Sequence, residues 1–591
     1  MNETGIPNTS AHDVASYNIL LNGTTPLNPV YEVLSLTLTQ VVNKIPMAKI
    51  VLRDGAAADQ DFAISNTGDL LPGTKLTIKI GRDGSNKVLF KGVIVHQGIK
   101  FRQDGNPVLT VECRDETVKM AIGRHSRYYE KVKDSEVIEQ LIRGYSSLSA
   151  DVEATTVQHK ELVQHHSTDW DFLLLRAEAN GKLVIADQGK VKVKKPDTTA
   201  SAVLQLTYGA SLMELEAEMD ARYQWSSVHA SAWDYTGQQL YEAETSSADY
   251  TEQGNVSGST LADVIGLQHY ELAHSGRRAA EELQQLTNAA MLKSRLAKIR
   301  GRAKFLGFSG VAPGDMVTLQ GIGNRYNGNA FVTGVRHEVA HGSWDTHIQF
   351  GLEPDWLAEA YKDISDIPAA GMLPAIHGLQ IGKVVQLQND PDGEHRILVK
   401  IPVIDNAARG IWVRVASLDA GNNRGAFFRP EIDDEVIVGF INDDPRDAIV
   451  LGMLNSSAKP APITAQDAND EKGFVTRSGM RIHFNDSTKT ITIDTPAGNS
   501  ITIDEASTSI KLKDQNSNTV TMDTSGIKLE SPMNVELKAG VNLVLSAGAA
   551  LSIGGASISA AADGAVELKG AIAKLSSQGI TEITGSLVKI N

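Results

Sequence analysis

A single cysteine in 591 residues excludes an internal disulfide. That residue, Cys113, stands in the strand-like run Leu109–Arg114, where a thiol reads as a small buried apolar side chain and not as a nucleophile. Long apolar runs are missing as well: nothing approaches the ~18 residues of a membrane-spanning helix. The opening residues Met1–Pro7 lack the basic and apolar stretches of a secretory signal, so a protein synthesised and assembled in the cytoplasm without a signal peptide is expected. Positive charge is short, with 56 Lys and Arg against 71 Asp and Glu and a net charge of −15, which disfavours nucleic acid as a partner. Aromatic residues make up 5% of the chain, and from Val475 to Asn591 there is no tyrosine, tryptophan or cysteine. Any interior in that last segment must be narrow and aliphatic.

What that segment does contain is a short repeat of two apolar residues two positions apart, followed by small or polar ones. The pairs are Ile482/Phe484, Ile491/Ile493, Ile501/Ile503, Ile510/Leu512, Val520/Met522, Ile527/Leu529, Val535/Leu537, Leu543/Leu545, Leu551/Ile553, Val566/Leu568 and, at the end, Val588/Ile590. Their spacing settles from 9 or 10 residues to 7 or 8 after Val520, too short for a helix-turn-helix repeat and right for a strand and a tight turn. The apolar pair shares one strand face, and corners such as Ser525-Gly526, Ala539-Gly540 and Gly554-Gly555 redirect the chain. Burying an aliphatic side chain is worth ~1.5–3 kcal/mol, so a lone ribbon with a whole row wet is untenable. A solenoid made by one chain needs roughly 20 or more residues per turn. Three chains, each supplying one side, would close a prism. The expected structure is a homotrimeric needle over 475–591 with these pairs in its core.

The composition, 41% hydrophobic, suits several folded domains. Strand alternation marks Tyr31–Leu38, Lys75–Ile80 and Val88–Val95. Helices are predicted from Asp134-Ser135 through Ile142, from Ser167-Thr168 to Asn180-Gly181, and from about Gly276 through Arg295. Strands then return with an internal echo: Pro72–Ile78 parallels Pro313–Leu319, and Phe90–His96 parallels Phe331–His337, with 24 residues from proline to histidine in both. Two related β-barrels, about 1–125 and 300–360, flanking a helical insert would form one domain over 1–371. Residues 372–462 read as a five-stranded barrel of the OB type, 463–474 as a linker. The fold class is mainly β.

Three motifs invite chemistry. His337-Glu338-Val339-Ala340-His341 with His347 spells a zinc-protease pattern, but the pattern needs a helix, and strand signals surround it. On a strand, residues four apart stand ~13 Å from each other, too far to share a metal. No metal, cofactor or catalytic residue is therefore expected. Gly321–Gly328 lies between two strands without the helix of a phosphate loop, and so reads as a hairpin. Trp412, Phe427 and Phe428 could stack nucleobases, yet acidic residues outnumber basic ones between Lys383 and Arg446, which favours an interaction platform.

Tandem barrels, OB barrel and β-prism in this order resemble the hub-and-spike proteins of contractile injection machines: the VgrG family of type VI secretion and its relatives in myophage tails and extracellular phage-tail-like particles. The residues that carry the resemblance are Pro430–Phe440 with Asp443–Gly452, then Ser167–Leu173 with Arg176–Gly181, and Thr476–Asp486 with Thr495–Asp504 at the needle's start. The resemblance implies a structural spike that caps the inner tube ring, contacts baseplate proteins, pierces a target membrane mechanically and serves effector cargo. It also implies a conical tip protein of the PAAR type, for which Leu587, Val588, Ile590 and Asn591 are the expected contacts. The segment between OB barrel and needle is too short for the lysozyme domain of myophage spikes, and the last apolar pair falls at the end of the sequence, so no enzyme is expected. A hub without an effector domain favours an extracellular particle. A trimeric adhesin or tail fibre is the alternative in another class.

Overall fold

The computed structural model describes residues 14–103 and 105–590. The chain is mainly β and divides between Gly452 and Met453 into two compact units.

In the first unit thirteen strands form one continuous sheet with two similar six-stranded halves, not two separate barrels, and the second half draws strands from 204–219 as well as from 299–350, outside the expected 300–360. In the first half the strands that begin at Val33, Met47, Gly105, Ser85, Lys75 and Ala15 are neighbours in that order, and every pairing is antiparallel. The second half repeats the order with the strands that begin at Leu212, Ile299, Ser343, Gly328, Met316 and Leu204; only its last pairing is parallel. Alternation explains both: one face of each half buries Leu36, Ile50, Ile78 and Val111, or Ala303, Phe305, Val332 and Ile348, in two separate cores. The strand Gly328–Ala340 joins them by pairing Gly334–Ala340 with Ser35–Val41.

The repeat is real, but three residues out of the register that the sequence suggested. Gly73 N–H donates to Ile94 O at 2.8 Å, and Gly314 N–H donates to Val332 O at 2.8 Å. Ile94 pairs with Cys113 just before a bulge, as Val332 pairs with Phe350. Ile94 therefore corresponds to Val332 and His96 to Gly334, not to His337 (337 − 334 = 3). The second hairpin is shorter, and the equal proline-to-histidine spacing is a coincidence of loop length.

Of the three expected helices, Asp134–Arg143 and Asp169–Ala179 lie between the halves in sequence, whereas Ala280–Leu296 and a short one, Gly258–Ile265, lie within the second half, between its strands that begin at Leu212 and Ile299. Thr168 caps the second by accepting Asp171 N–H at 3.0 Å. At the start of the first, Asp134 is buried and Glu136 accepts the Lys133 N–H at 2.8 Å. The insert is not purely helical: it also holds a parallel-antiparallel sheet of Ser227–Asp234, Gln239–Thr245 and His269–His274.

Residues 380–453 form a closed barrel of five strands, Gln380–Gln386, Ile397–Lys400, Ile411–Val415, Glu435–Phe440 and Ala448–Met453. Val384, Val399, Val413, Val436, Val438 and Val450 fill its centre.

Candidate assembly surface

The second unit carries a sheet with one wet apolar face. Seven strands, Glu471–Val475, Arg481–Asn485, Thr490–Asp494, Ser500–Asp504, Ser509–Lys513, Thr519–Asp523 and Gly526–Glu530, each pair antiparallel with the next. The turns are set by aspartates at strand ends: Asp504 Oδ1 accepts Ala506 N–H at 2.9 Å, Asp514 Oδ1 accepts Asn518 N–H at 2.8 Å, and Asp523 Oδ1 accepts Ser525 N–H at 2.7 Å. Sequence reasoning passed over these residues, although their spacing of 10 and 9 (514 − 504, 523 − 514) was a signal.

This register puts the predicted pairs directly opposite each other. Ile491 faces Ile503, which faces Ile510; Ile493 faces Ile501, then Leu512, Val520 and Leu529; Met522 faces Ile527. The other face carries the row His483, Thr492, Thr502, Lys511, Thr521 and Lys528. On the apolar face Ile491, Ile493, Ile501, Ile503, Ile510 and Leu512 remain 36–44% exposed, and a cavity of about 590 Å³ opens there between Ile493, Ile501, Leu512, Val520, Leu529 and Val535.

Beyond Glu530 the expected in-chain strands are not found: among the described residues 531–590 contain none. Instead the backbone bends at Pro532, Gly540, Gly548, Ala556, Asp563, Ala571, Gln578 and Ser586, an interval of 7 or 8 residues throughout. The physical reason is that a bend deflects the chain where a hairpin would return it, so each run has no neighbour of its own chain to pair with. Val535, Leu537, Leu543, Leu545, Leu551, Ile553, Val566 and Leu568 are all exposed on these runs, as are Leu587, Val588 and Ile590 at the end. Asn591 lies outside the described residues.

The zinc-protease pattern lies in the first unit, where His337 borders a smaller cavity of about 160 Å³ with Leu38, Gln40, Asp115 and Val335. His337 lies in the strand Gly328–Ala340 and His347 in Ser343–Phe350, while His341 with φ 51° and Gly342 with φ 75° make the two-residue turn between them. His337 is buried and its Nδ1 meets Thr346 Oγ1 at 3.0 Å; burial pushes its imidazole down to about 4. Among the described residues no group of His, Cys, Asp or Glu is arranged to hold a metal ion. Cys113 is buried, and burial raises its thiol above the usual range. Gly321–Gly328 is the loop between Met316–Gln320 and Gly328–Ala340. In the barrel, Phe427 is exposed with the Arg429 guanidinium 5.4 Å from its ring, while Trp412 lies in a strand opposite Leu398.

The family-like motifs hold the fold together. Asp134 is 2% exposed; burial would raise its carboxyl, but His159 and Arg176 more than reverse this and hold it well below the usual range. Arg176 Nε reaches it at 2.6 Å, Asn180 Nδ2 at 2.8 Å and His159 Nε2 at 3.0 Å. Glu178 accepts from Lys293 Nζ at 2.5 Å and from Leu357 N at 3.0 Å. Asp444 accepts from both Arg446 Nη2 at 2.7 Å and Arg446 N at 2.9 Å, which locks the turn before the last barrel strand.

Comparison with known proteins gives two family matches. Residues 11–341 match the Alg8 N-terminal domain, and residues 380–454 match the type VI secretion system/phage-baseplate injector OB domain. The chain is 23% identical over 393 residues to the type VI secretion system spike protein VgrG1b of Pseudomonas aeruginosa, which covers 61% of this chain and 51% of that protein. It is 33% identical over 101 residues to the spike protein VgrG3 of Vibrio cholerae, 16% of this chain and 10% of that one. The chain thus spans about half the length of the first of these curated relatives. Among solved structures, a tail protein from Neisseria meningitidis is similar with a TM-score of 0.43 at 15% identity, over 59% of this chain and 99% of the other. A Francisella PdpA–VgrG complex has a TM-score of 0.39 at 9% identity, over 89% and 81%. The matches to VgrG spike proteins and to the injector OB domain bear out the hub-and-spike resemblance expected from the sequence.

Proposed function

The chain belongs to the Alg8 N-terminal domain family, and from that premise we propose that three copies form the spike of a contractile, phage-tail-like injection machine, cap its inner tube and pierce the target membrane when the machine fires. The observation that carries this reading is the recurring bend of 531–590: extended runs with an aliphatic pair each, no strand partner of their own chain, and an interval that one side of a three-chain prism requires. The pairs from Ile491/Ile493 to Val566/Leu568 are then the needle core. In this reading residues 1–371 are the hub, 372–462 the platform toward baseplate proteins and 475–591 the needle, whose sheet takes its first strand, Glu471–Val475, from the end of the 463–474 linker. Six related half-sheets from three chains would meet a sixfold tube ring.

The spike acts by force and not by catalysis. Interlocked chains with a dry interior resist forced unfolding through a slow unfolding rate. Leu587, Val588, Ile590 and Asn591 would receive a PAAR-type tip protein, since exposed strand edges and apolar ends call for a cover. Light scattering on the purified chain over a range of concentrations tests the assembly: a mass of three chains is expected, and a stable monomer overturns it. Removing the gene from a producing cell tests the role, for sheathed particles that still assemble and kill without this chain would exclude it as the spike.

A further inference from the structure

We propose that an aromatic and acidic box in the first unit binds an arginine side chain presented by a partner polypeptide. The box is a cavity of about 430 Å³ where the loop before Ser227, the strand His269–His274, the helix Ala280–Leu296 and the turn at Pro354 converge. Tyr223, Trp225, Tyr270 and Trp356 line it, all half-buried, and Asp355 and Glu359 stand exposed at its rim. Trp225 and Tyr270 are stacked at 4.6 Å with their planes 10° apart, so they present a rigid platform. The Tyr270 hydroxyl is pushed up by burial and by Glu359 beside it, which places that carboxylate at the aromatic wall.

Charge selects the occupant. The cation already in the box, Lys293 Nζ, lies 5.3 Å from the Trp356 ring centroid and is neutralised by Glu178 at 2.5 Å. Glu359 accepts the Trp356 N–H through Oε2 at 2.9 Å; among the described residues neither its other oxygen nor the Asp355 carboxylate has a hydrogen-bond donor. Aromatic faces below two carboxylates favour a cation, and a guanidinium fits best because it stacks flat on a ring while its N–H fork engages a carboxylate. A lysine would satisfy the charge without the plane. A neutral sugar would satisfy the rings without the charge. The proposal needs only the first unit and stands whether or not three chains assemble.

The test is tryptophan fluorescence of the full chain titrated with the peptide acetyl-Gly-Arg-Gly-amide, beside the isosteric citrulline peptide. A saturable change with the arginine peptide and none with citrulline is expected. Asp355→Asn, whose carboxylate makes no hydrogen bond or ion pair among the described residues, should leave thermal stability unchanged and weaken binding about fivefold, and Glu359→Gln should do the same to binding. Equal response to citrulline, no saturable response, or unchanged binding in both variants overturns the proposal. So does a saturable response to maltotriose with none to the arginine peptide, which would assign the box to a sugar ring.

Discussion

Replacing Ile503 by Asp tests the needle most directly, because its neighbour Thr502 supplies the control. The two side chains project from opposite faces of the same strand: Ile503 stands between Ile491 and Ile510, and Thr502 between Thr492 and Lys511. In one chain Ile503 is still 44% exposed, so a partner can bury only the remainder. At ~1.5–3 kcal/mol for a whole aliphatic side chain, that remainder is ~1 kcal/mol per chain, or ~3 kcal/mol over three. An unpaired polar group in a dry layer adds at least ~1–3 kcal/mol for each carboxylate. The sum, at least ~6 kcal/mol per trimer, is a ~10⁴-fold weakening of assembly. Within a single chain the part already covered is worth only ~1–2 kcal/mol by the same scale, far less than the loss to assembly. Sedimentation at several concentrations should therefore show Ile503→Asp as separate chains with intact strand content, and Thr502→Asp as a trimer. If both variants assemble alike, or both fail alike, the apolar face is not the contact surface.

Three further outcomes rest on buried charge and on the end of the needle. His337 is neutral in the fold with its pKa near 4, against 6.5 when unfolded, so between these values only the unfolded chain takes up the proton and stability falls as pH falls. The loss is about 3 kcal/mol, and urea titrations at pH 7 and 4.5 should show a smaller acid loss for His337→Gln than for the natural chain; identical losses would place that imidazole in water. Arg176→Met leaves Asp134 buried without its cation and should cost ~3–5 kcal/mol, much of it restored by Asp134→Asn in the same chain; hydrogen exchange of the helix Asp134–Arg143 reads this, and unchanged protection would contradict it. Deleting Leu587–Asn591 should abolish co-purification of a tip protein while mass and tube binding stay unchanged, and a truncated spike that still retains its tip places that contact elsewhere.

Local signals were legible; non-local ones were not. The five strands of the OB barrel were legible because alternation and turn residues act over a few positions. The sheet that starts at Ser227 escaped notice because its buried face is Val228, Ala230 and Ala232, and alanine carries little strand signal. The misread register of the tandem repeat has another origin. Bulges before His96 and Gly334, and the length of the hairpin ahead of each, are decided by which strand lies alongside, and no window of sequence contains that. In the repeat segment the apolar face was readable from parity alone. That ladders stop at Glu530 was not, since the change from hairpin to bend leaves the apolar pairs in step.

The boundary at Glu530 also imposes an order of events. Upstream of it each chain completes its own seven-strand ladder, a set of contacts between sequence neighbours that closes small loops and forms early. Downstream, nothing can pair until other chains are alongside and in step. If three chains assemble as proposed, the upstream sheets would act as a clasp: once their apolar faces met, the offsets of all three would be settled, and the sixty residues from 531 to 590 could close toward the far end one layer at a time. Slippage, the ordinary hazard of a repeat whose units are nearly alike, would then be removed before the repeat began to wind.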